Sequence, residues 1–412
     1  MRLGIYLILM LVCCSSNLLF AQERCGTAAI LEQMKTTNPE IYAKIQERSK
    51  TQVNAKITDD IYIIPVVVHI VYNTEAENLD DTRVYTQMNV LNEDFRRLNA
   101  DTVNTLPGFE SVAADVGIEF CLAFYDPNGD STTGIIRTYT DTTEWLLSFS
   151  EEVKKTSQMG DDAWPASSYL NIWVCDLQDG ILGYAVSPGA SPEVDGVVID
   201  YKNFGIADVS SKPYDLGRTC THEIGHWLGL THVWGDDGGT CAGSDGIDDT
   251  PDQSEATYGC PSDVLLDDCS TEAPGIMYQN YMDYTNDACM NLFTQDQTSR
   301  MRSVMETYRA SLLTSAAGCN EIGPLPGDIA EILVYPVPTS GQFTISIQNF
   351  LGYQDNFNIA VYNSLGQIIA SANPAAANNV AQYFDLSYLA AGCYIVQVFN
   401  GTYFLSQQFM VY

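Results

Sequence analysis

The chain has 412 residues, enough for two or three domains at about 150 residues each. Hydrophobic residues make up 46% and charged residues 17%, which speaks against a disordered chain. With 19 Lys and Arg against 52 Asp and Glu, the formal net charge is -33. That balance argues against a binder of nucleic-acid phosphates or of anionic lipid, and fits an extracellular or cation-binding protein.

Residues 1–21, MRLGIYLILMLVCCSSNLLFA, carry Arg2, an apolar run and a small residue at Ala21, the pattern of a secretory signal peptide cut after Ala21. No later segment is long and apolar enough to span a membrane. Export puts the remaining cysteines in an oxidising compartment, where disulfides form. Residues 22–55 are polar, with weak helical segments that have little to bury, and read as a pro-segment. IYIIPVVVHIVY (61–72) is a buried strand by its β-branched run. Asp81 to Leu98 places Val84, Met88, Leu91 and Phe95 at helical spacing, with Asp80 or Asp81 as the cap. VGIEFCLAFYD, YLNIWVCDL and DGVVIDY are further strands, and Tyr214 to Gly229 is a second long helix. From Gly235 to about Asn280 periodicity disappears among Gly, Asp, Pro, Ser and Cys. Residues 295–313 restore a helix with Met301, Met305, Tyr308 and Leu312 on one face. A Pro/Gly linker covers 320–332, and residues 333–412 alternate as in a small antiparallel β-sandwich, with Phe343, Ile345 and Ile347 on one strand face and Tyr394, Val396 and Val398 on another.

The informative stretch is HEIGHWLGLTH, His222 to His232. His222 and His226 are four apart, so on a helix they share a face and can grip one Zn²⁺. Gly229 permits the left-handed residue that ends the helix and turns the chain back, so that His232 supplies a third ligand. Three protein ligands leave a fourth position open, as in a catalytic site. Glu223, beside the first ligand, is placed as general base and then acid. Three of the four His in the chain fall within these eleven residues, which weighs against ordinary core histidines. The fourth, His69, lies in an apolar strand and reads as a satisfied core residue.

HEIGHWLGLTH has the long motif of the metzincin metallopeptidases, and with GRTCTHEIGHWLGL and NYMDYTNDACMNLFTQDQ the chain resembles their pappalysin (ulilysin-like) branch over roughly residues 61–315. The resemblance implies an α+β fold: a metzincin-like catalytic domain (56–319) with a mixed sheet and a long zinc-binding helix, followed by the small all-β sandwich. It implies that Met282 forms an apolar floor beneath the metal, and that Tyr284 stabilises the transition-state oxyanion. Four cysteines in or beside the loop-rich stretch allow three pairings; the resemblance favours Cys241–Cys269 and Cys260–Cys289. Cys121, Cys175, Cys220, Cys319 and Cys393 remain unassigned.

Asp236, Asp237, Asp245, Asp248, Asp249 and Asp252 crowd the same stretch. Clustered carboxylates repel unless a cation neutralises them, although a solvated acidic loop has the same composition. Asp245, Asp248, Asp249 and Thr250 are the candidate Ca²⁺ ligands, and similarity to calcium-binding peptidases favours the ion. Arg24-Cys25-Gly26-Thr27 resembles the cysteine switch of latent metzincins: the Cys25 thiolate would take the open metal position until residues 22–55 are removed. An ordinary or disulfide-bonded Cys25 is the alternative. If the enzyme favours a basic residue just after the cut bond, as relatives do, Asp287 is a candidate acidic wall for that pocket. Among Arg48, Lys50 and Lys56, self-cleavage before Arg48 is then the expectation.

VYNSLGQII, LSYLAAGCYIVQVFNG and QQFMVY resemble the C-terminal sorting domain of Bacteroidetes type IX secretion cargo. This implies passage over the outer membrane by the secretion machinery, then removal of the domain or attachment to the cell surface. The tail lacks the basic residues often found at such ends, and a carbohydrate- or protein-binding module is the alternative. Together the residues point to a secreted zinc endopeptidase acting on proteins or peptides and made as a latent zymogen. A zinc-containing surface adhesin and a non-peptide metallo-amidase are the rivals. Glu223 speaks against the first, since a binder has no need of it.

Overall fold

The computed structural model describes residues 24–50, 60–147, 151–207, 212–236, 240–242, 245–320, 331–348, 358–363, 367–373, 380–399 and 404–412. The signal peptide, Asp237, Lys56 and most of the 320–332 linker lie outside them. Among the described residues no helix is long and apolar enough to cross a membrane.

The N-terminal segment forms α1 (Thr27–Thr37) and α2 (Pro39–Lys50). The expectation of little to bury is corrected here. Ile30, Met34 and Ile45 are buried with Trp145, Trp173, Tyr184 and Val198. Their partner surface comes from distant sequence, so local periodicity does not reveal it.

β1 (Tyr62–Tyr72) is the spine of the central sheet, buried on both faces as its β-branched run requires. It is followed by α3 (Asp81–Phe95), β2 (Ala113–Ala114), β3 (Ile118–Leu122), β4 (Ile135–Tyr139), β5 (Leu170–Cys175), β6 (Gly183–Ala185) and β7 (Val197–Asp200). The sheet runs β3-β1-β5-β7-β6, with β4 also paired to β1. All its pairings are parallel except β6 on β7, so the sheet is mixed and β6 is an antiparallel edge strand. Asp80 caps α3 by accepting the Arg83 amide, and Val84, Met88, Leu91 and Phe95 are buried. The helix stops at Phe95 and not Leu98, because Arg97 takes a positive φ of 49°.

α4 (Arg218–Trp227) is buried along its whole length. It begins four residues later than expected: Leu216 bridges to Ile206, and Gly217 turns the chain at φ 78°. β8 (Phe293–Thr294) pairs with β2, and α5 (Gln295–Tyr308) follows behind a capping box of Thr294 and Gln297. α5 ends at Tyr308, with a separate 3-10 turn at Leu312–Thr314. The irregular stretch between α4 and β8 is stapled by Cys241–Cys269 and Cys260–Cys289. A third disulfide, Cys121–Cys319, ties the end of this unit back to β3. Cys25, Cys175 and Cys220 are free and buried, and Cys393 is free and exposed. His69 is a fully satisfied core residue: its ring nitrogens lie 2.6 Å from Asp161 Oδ2 and 3.0 Å from Asn171 Oδ1.

The C-terminal unit holds β9 (Glu331–Tyr335), β10 (Gln342–Gln348), β11 (Asn358–Tyr362), β12 (Ile368–Ala372), β13 (Val380–Asp385), β14 (Gly392–Phe399) and β15 (Phe404–Val411). Sheets β13-β10-β9 and β12-β11-β14-β15 are antiparallel. Phe343, Ile345, Tyr394, Val396 and Val398 share their core. The first strand starts at Glu331, two residues before the expected boundary.

Candidate metal centre

One turn of α4 separates His222 from His226. Past the helix, Gly229 at φ 86° lets Leu230 N–H donate back to Gly225 O, and the reversed chain brings in His232. His226 Nε2 lies 3.1 Å from both His222 Nε2 and His232 Nε2. Each Nδ1 faces an oxygen: Tyr281 O at 2.7 Å, Leu230 O at 2.9 Å and Asp236 Oδ1 at 2.7 Å. The Nδ1 atoms therefore carry the protons, and three Nε2 lone pairs converge. Burial first, then the neighbouring rings, hold His222 far below its ordinary pKa; burial, then His232, push His226 down to about 3. Neutral lone pairs this close repel unless a cation lies between them, so the donor set fits a divalent metal. Cys25 Sγ joins them, all four donor atoms lying within 4.8 Å of one another.

The floor and wall come from residues 280–284. Met282 is fully buried, and a Cβ added at Gly225 would stand 2.4 Å from Met282 Sδ, so any side chain here would have to displace the thioether. Asn280 Oδ1 accepts the Met282 amide and is held by Gln297 Nε2. The Tyr284 ring lies 5.0 Å from that of His232, and its hydroxyl lies near the Cys25 backbone. Glu223 is buried beside the centre. Its Oε2 accepts from Thr27 Oγ1 at 3.0 Å and lies 3.4 Å from Cys25 Sγ, while its Oε1 is buried with no hydrogen-bond partner. Burial lifts its carboxyl to about 7.

The N-terminal segment lies over this centre. Arg24 O accepts from Leu182 N–H and Gly26 N–H donates to Gly183 O, both at 2.9 Å, in a parallel bridge to β6. Cys25 thus offers its side chain to the histidines, while the carbonyl before it is turned onto the sheet. The Arg24 guanidinium reaches Thr285 O at 2.6 Å and Asp287 Oδ1 at 2.9 Å. Farther along, Leu31 and Ile45 line a cavity with Pro188, Leu230 and Val304 beside His226.

The peptidase M43 family model, described as pregnancy-associated plasma protein-A, matches residues 153–306. A secretion-system C-terminal sorting domain matches residues 333–412. An extracellular metalloprotease of Podospora anserina is 30% identical over 262 residues, covering 61% of this chain and 76% of that protein. This chain belongs to the M43 peptidase family. An extracellular metalloprotease of Arthroderma benhamiae is 28% identical over 295 residues, covering 70% of this chain and 93% of that protein. Mature mirolysin of Tannerella forsythia, solved with a cleaved peptide, is 51% identical with TM-score 0.59, covering 62% of this chain and 96% of that one. A promirolysin mutant from the same organism is 47% identical with TM-score 0.65, covering 70% of this chain and 96% of that one.

The protein is therefore a secreted metalloendopeptidase, made as a zymogen and exported as type IX cargo, with a metzincin fold and a C-terminal β domain. In this M43 peptidase the acidic loop is arranged differently from the metal centre. Asp245 accepts from Ile247 N and Thr250 Oγ1, and Asp248 is exposed. Asp249 accepts from Thr294 Oγ1 and Asp296 N at the start of α5. Among the described residues these carboxylates do not converge as the histidines do. Thr27 and Tyr214 were missed in the sequence; only the neighbouring Arg-Cys-Gly-Thr run and Asp287 pointed near them. Arg48 lies within α2 with its guanidinium 4.5 Å from the Tyr308 ring centre, so the bond before it is helical and not extended.

Proposed function

We propose that the metal is zinc, held by His222, His226 and His232, and that residues 22–55 are a pro-segment whose Cys25 closes the fourth position. The observation that carries this is the convergence of three Nε2 atoms beside an unpartnered Glu223 Oε1. Zinc, when bound, supplies a Lewis acid that polarises the scissile carbonyl and acidifies water. Glu223 takes the proton of the attacking water and hands it to the leaving nitrogen. The Tyr284 hydroxyl, released when Cys25 leaves, donates to the developing oxyanion. Met282 keeps the floor apolar and the rings in place.

Asp287 is the acidic wall of a pocket for a basic residue just after the cut bond, a reading supported by the Arg24 guanidinium seated on it at 2.9 Å. Self-cleavage before Arg48 then requires α2 to unwind first, whereas Lys50 is the last residue of that helix. N-terminal sequencing of the active form decides between these sites. Calcium on the loop of Asp245, Asp248, Asp249 and Thr250 forms a separable part of the proposal. Burial lifts the Asp245 carboxyl to about 7, and Asp249 and Asp252 add to the rise, a repulsion that a cation relieves. Calcium is expected to raise the melting temperature of the zinc-loaded protein; no shift removes calcium from the account.

The deciding experiment is casein digestion by the pro-segment-free protein with metal analysis alongside. One zinc per chain is expected, and Glu223→Ala should keep the zinc while losing about 10²–10⁴-fold in rate. Zinc-loaded protein that binds casein without cutting it favours an adhesin, and hydrolysis confined to non-peptide amides favours an amidase.

A further inference from the structure

We infer that Tyr214 is a specificity-determining residue that makes the pocket on Asp287 select arginine over lysine. The inference rests on the reading of that pocket as the seat of a basic substrate residue. Arg24 fills it almost without exposure and meets three different surfaces. One Nη donates to a main-chain carbonyl, Thr285 O, and the other to the Asp287 carboxylate. The guanidinium carbon lies over the Tyr214 ring, 4.1 Å from its centre.

The three surfaces are fixed relative to one another. Asp287 N–H donates to Pro213 O at 3.2 Å, and Leu216 N–H donates to Asp287 Oδ2 at 3.0 Å, so the strand of chain carrying the ring is laced to the acid on both sides. Asn203 Nδ2 donates to Tyr214 O at 2.9 Å and holds it from behind. The nearby Arg218 guanidinium bonds the Asp287 main-chain oxygen at 2.6 Å and makes its ion pairs with Asp101 at 2.6 Å and Asp94 at 3.4 Å, leaving the Asp287 carboxylate to Arg24.

A planar fork with donors in its plane and a weakly hydrated face satisfies carbonyl, carboxylate and ring together. An ammonium is a compact, strongly hydrated point charge. It can bond one or both oxygens but has no flat face to lay on the phenol, and any oxygen it misses stays buried without a partner. The ring therefore adds to binding of arginine and adds little for lysine.

The test uses the zinc-loaded mature enzyme and three peptides differing only in the residue after the cut bond: Arg, Lys or Ala. The wild type should cut the Arg peptide at least about tenfold faster in kcat/KM than the Lys peptide, and both faster than the Ala peptide. Tyr214→Leu should lower kcat/KM for Arg about tenfold and for Lys by less than about twofold. Tyr214→Phe, which keeps the ring, should keep the Arg-to-Lys ratio, and this guards against a folding defect in the leucine variant. Equal cutting of Arg and Lys peptides, both above Ala, overturns the role of Tyr214 alone. An unchanged ratio in Tyr214→Leu does the same. An Ala peptide cut as fast as the Arg peptide overturns the basic pocket and the role of Tyr214 with it.

Discussion

The Thr27 hydroxyl accepts the Ala185 N–H at 2.9 Å and donates to Glu223 Oε2 at 3.0 Å. With the amide pointed at its oxygen, its one proton goes to the carboxylate. Thr27 thereby holds both the carboxylate proposed as general base and an amide of the edge strand β6. If Cys25 closes the metal site as proposed, latency then has a second lock in Thr27. A hydrogen bond to a charged group contributes about 1.5–3 kcal/mol, or at least about tenfold in the closed-to-open balance. The Thr27→Val precursor should therefore activate itself about tenfold sooner or more, read as the lag before casein cleavage. If Cys25→Ser shortens the lag and Thr27→Val does not, the thiol is the sole lock.

Gly225 is the place where α4 touches the Met282 floor. A methyl group there would overlap Met282 Sδ at 2.4 Å. Because Met282 is fully buried, the clash must push the turn or tilt the helix that carries His222 and His226. Overpacking of this kind costs about 1–3 kcal/mol. Gly225→Ala should lower the melting temperature by several degrees and weaken zinc binding, measured by competition with a chelator. Adding Met282→Ala to it should restore part of both.

The proposed metal ligands were legible because their geometry is local: an i, i+4 pair on one helix and a glycine turn settle where three rings go. The Asp80 cap and the buried face Val84, Met88, Leu91 and Phe95 were legible for the same reason. Where the partner lies far along the chain, legibility failed. Ile30, Met34 and Ile45 looked too sparse to pack until Trp145 and Trp173 were placed against them. Tyr214 and Leu216 continue the apolar spacing of α4 into the sequence before it, yet Leu216 N–H is taken by Asp287, so the helix starts later. Nothing local marks Cys121 and Cys319 as partners across 198 residues.

That long-range disulfide gives a further prediction. Of the three disulfides among the described residues it closes the longest loop, and it anchors the segment after α5 to β3. Loss of such a crosslink typically costs about 2–5 kcal/mol. Cys121→Ala with Cys319→Ala should therefore lower the melting temperature by roughly 5–15 °C while leaving zinc stoichiometry at one. A melting temperature within a degree of wild type would show that the crosslink adds nothing beyond packing.

The pH dependence of stability follows from buried carboxyls. Burial raises Asp94, Asp200 and Asp283 to about 6 and Asp245 and Glu223 to about 7. An acid whose pKa is raised in the folded state binds more protons folded than unfolded between the two values. Stability therefore falls as pH rises through that window, which runs from near 4 to about 7. His222 and His226 oppose this in metal-free protein: held neutral in the fold, they take up protons only on unfolding, so each loses stability as pH falls below about 6.5, and the more numerous carboxyls outweigh them. Chelator-treated precursor should thus melt higher at pH 5.5 than at pH 7.5, by on the order of 5 °C. Zinc-loaded protein should gain less, because protons compete with the metal for imidazole. A chelated sample that melts lower at pH 5.5 would mean that these carboxyls do not hold protons in the fold strongly enough to outweigh the two histidines, against their burial.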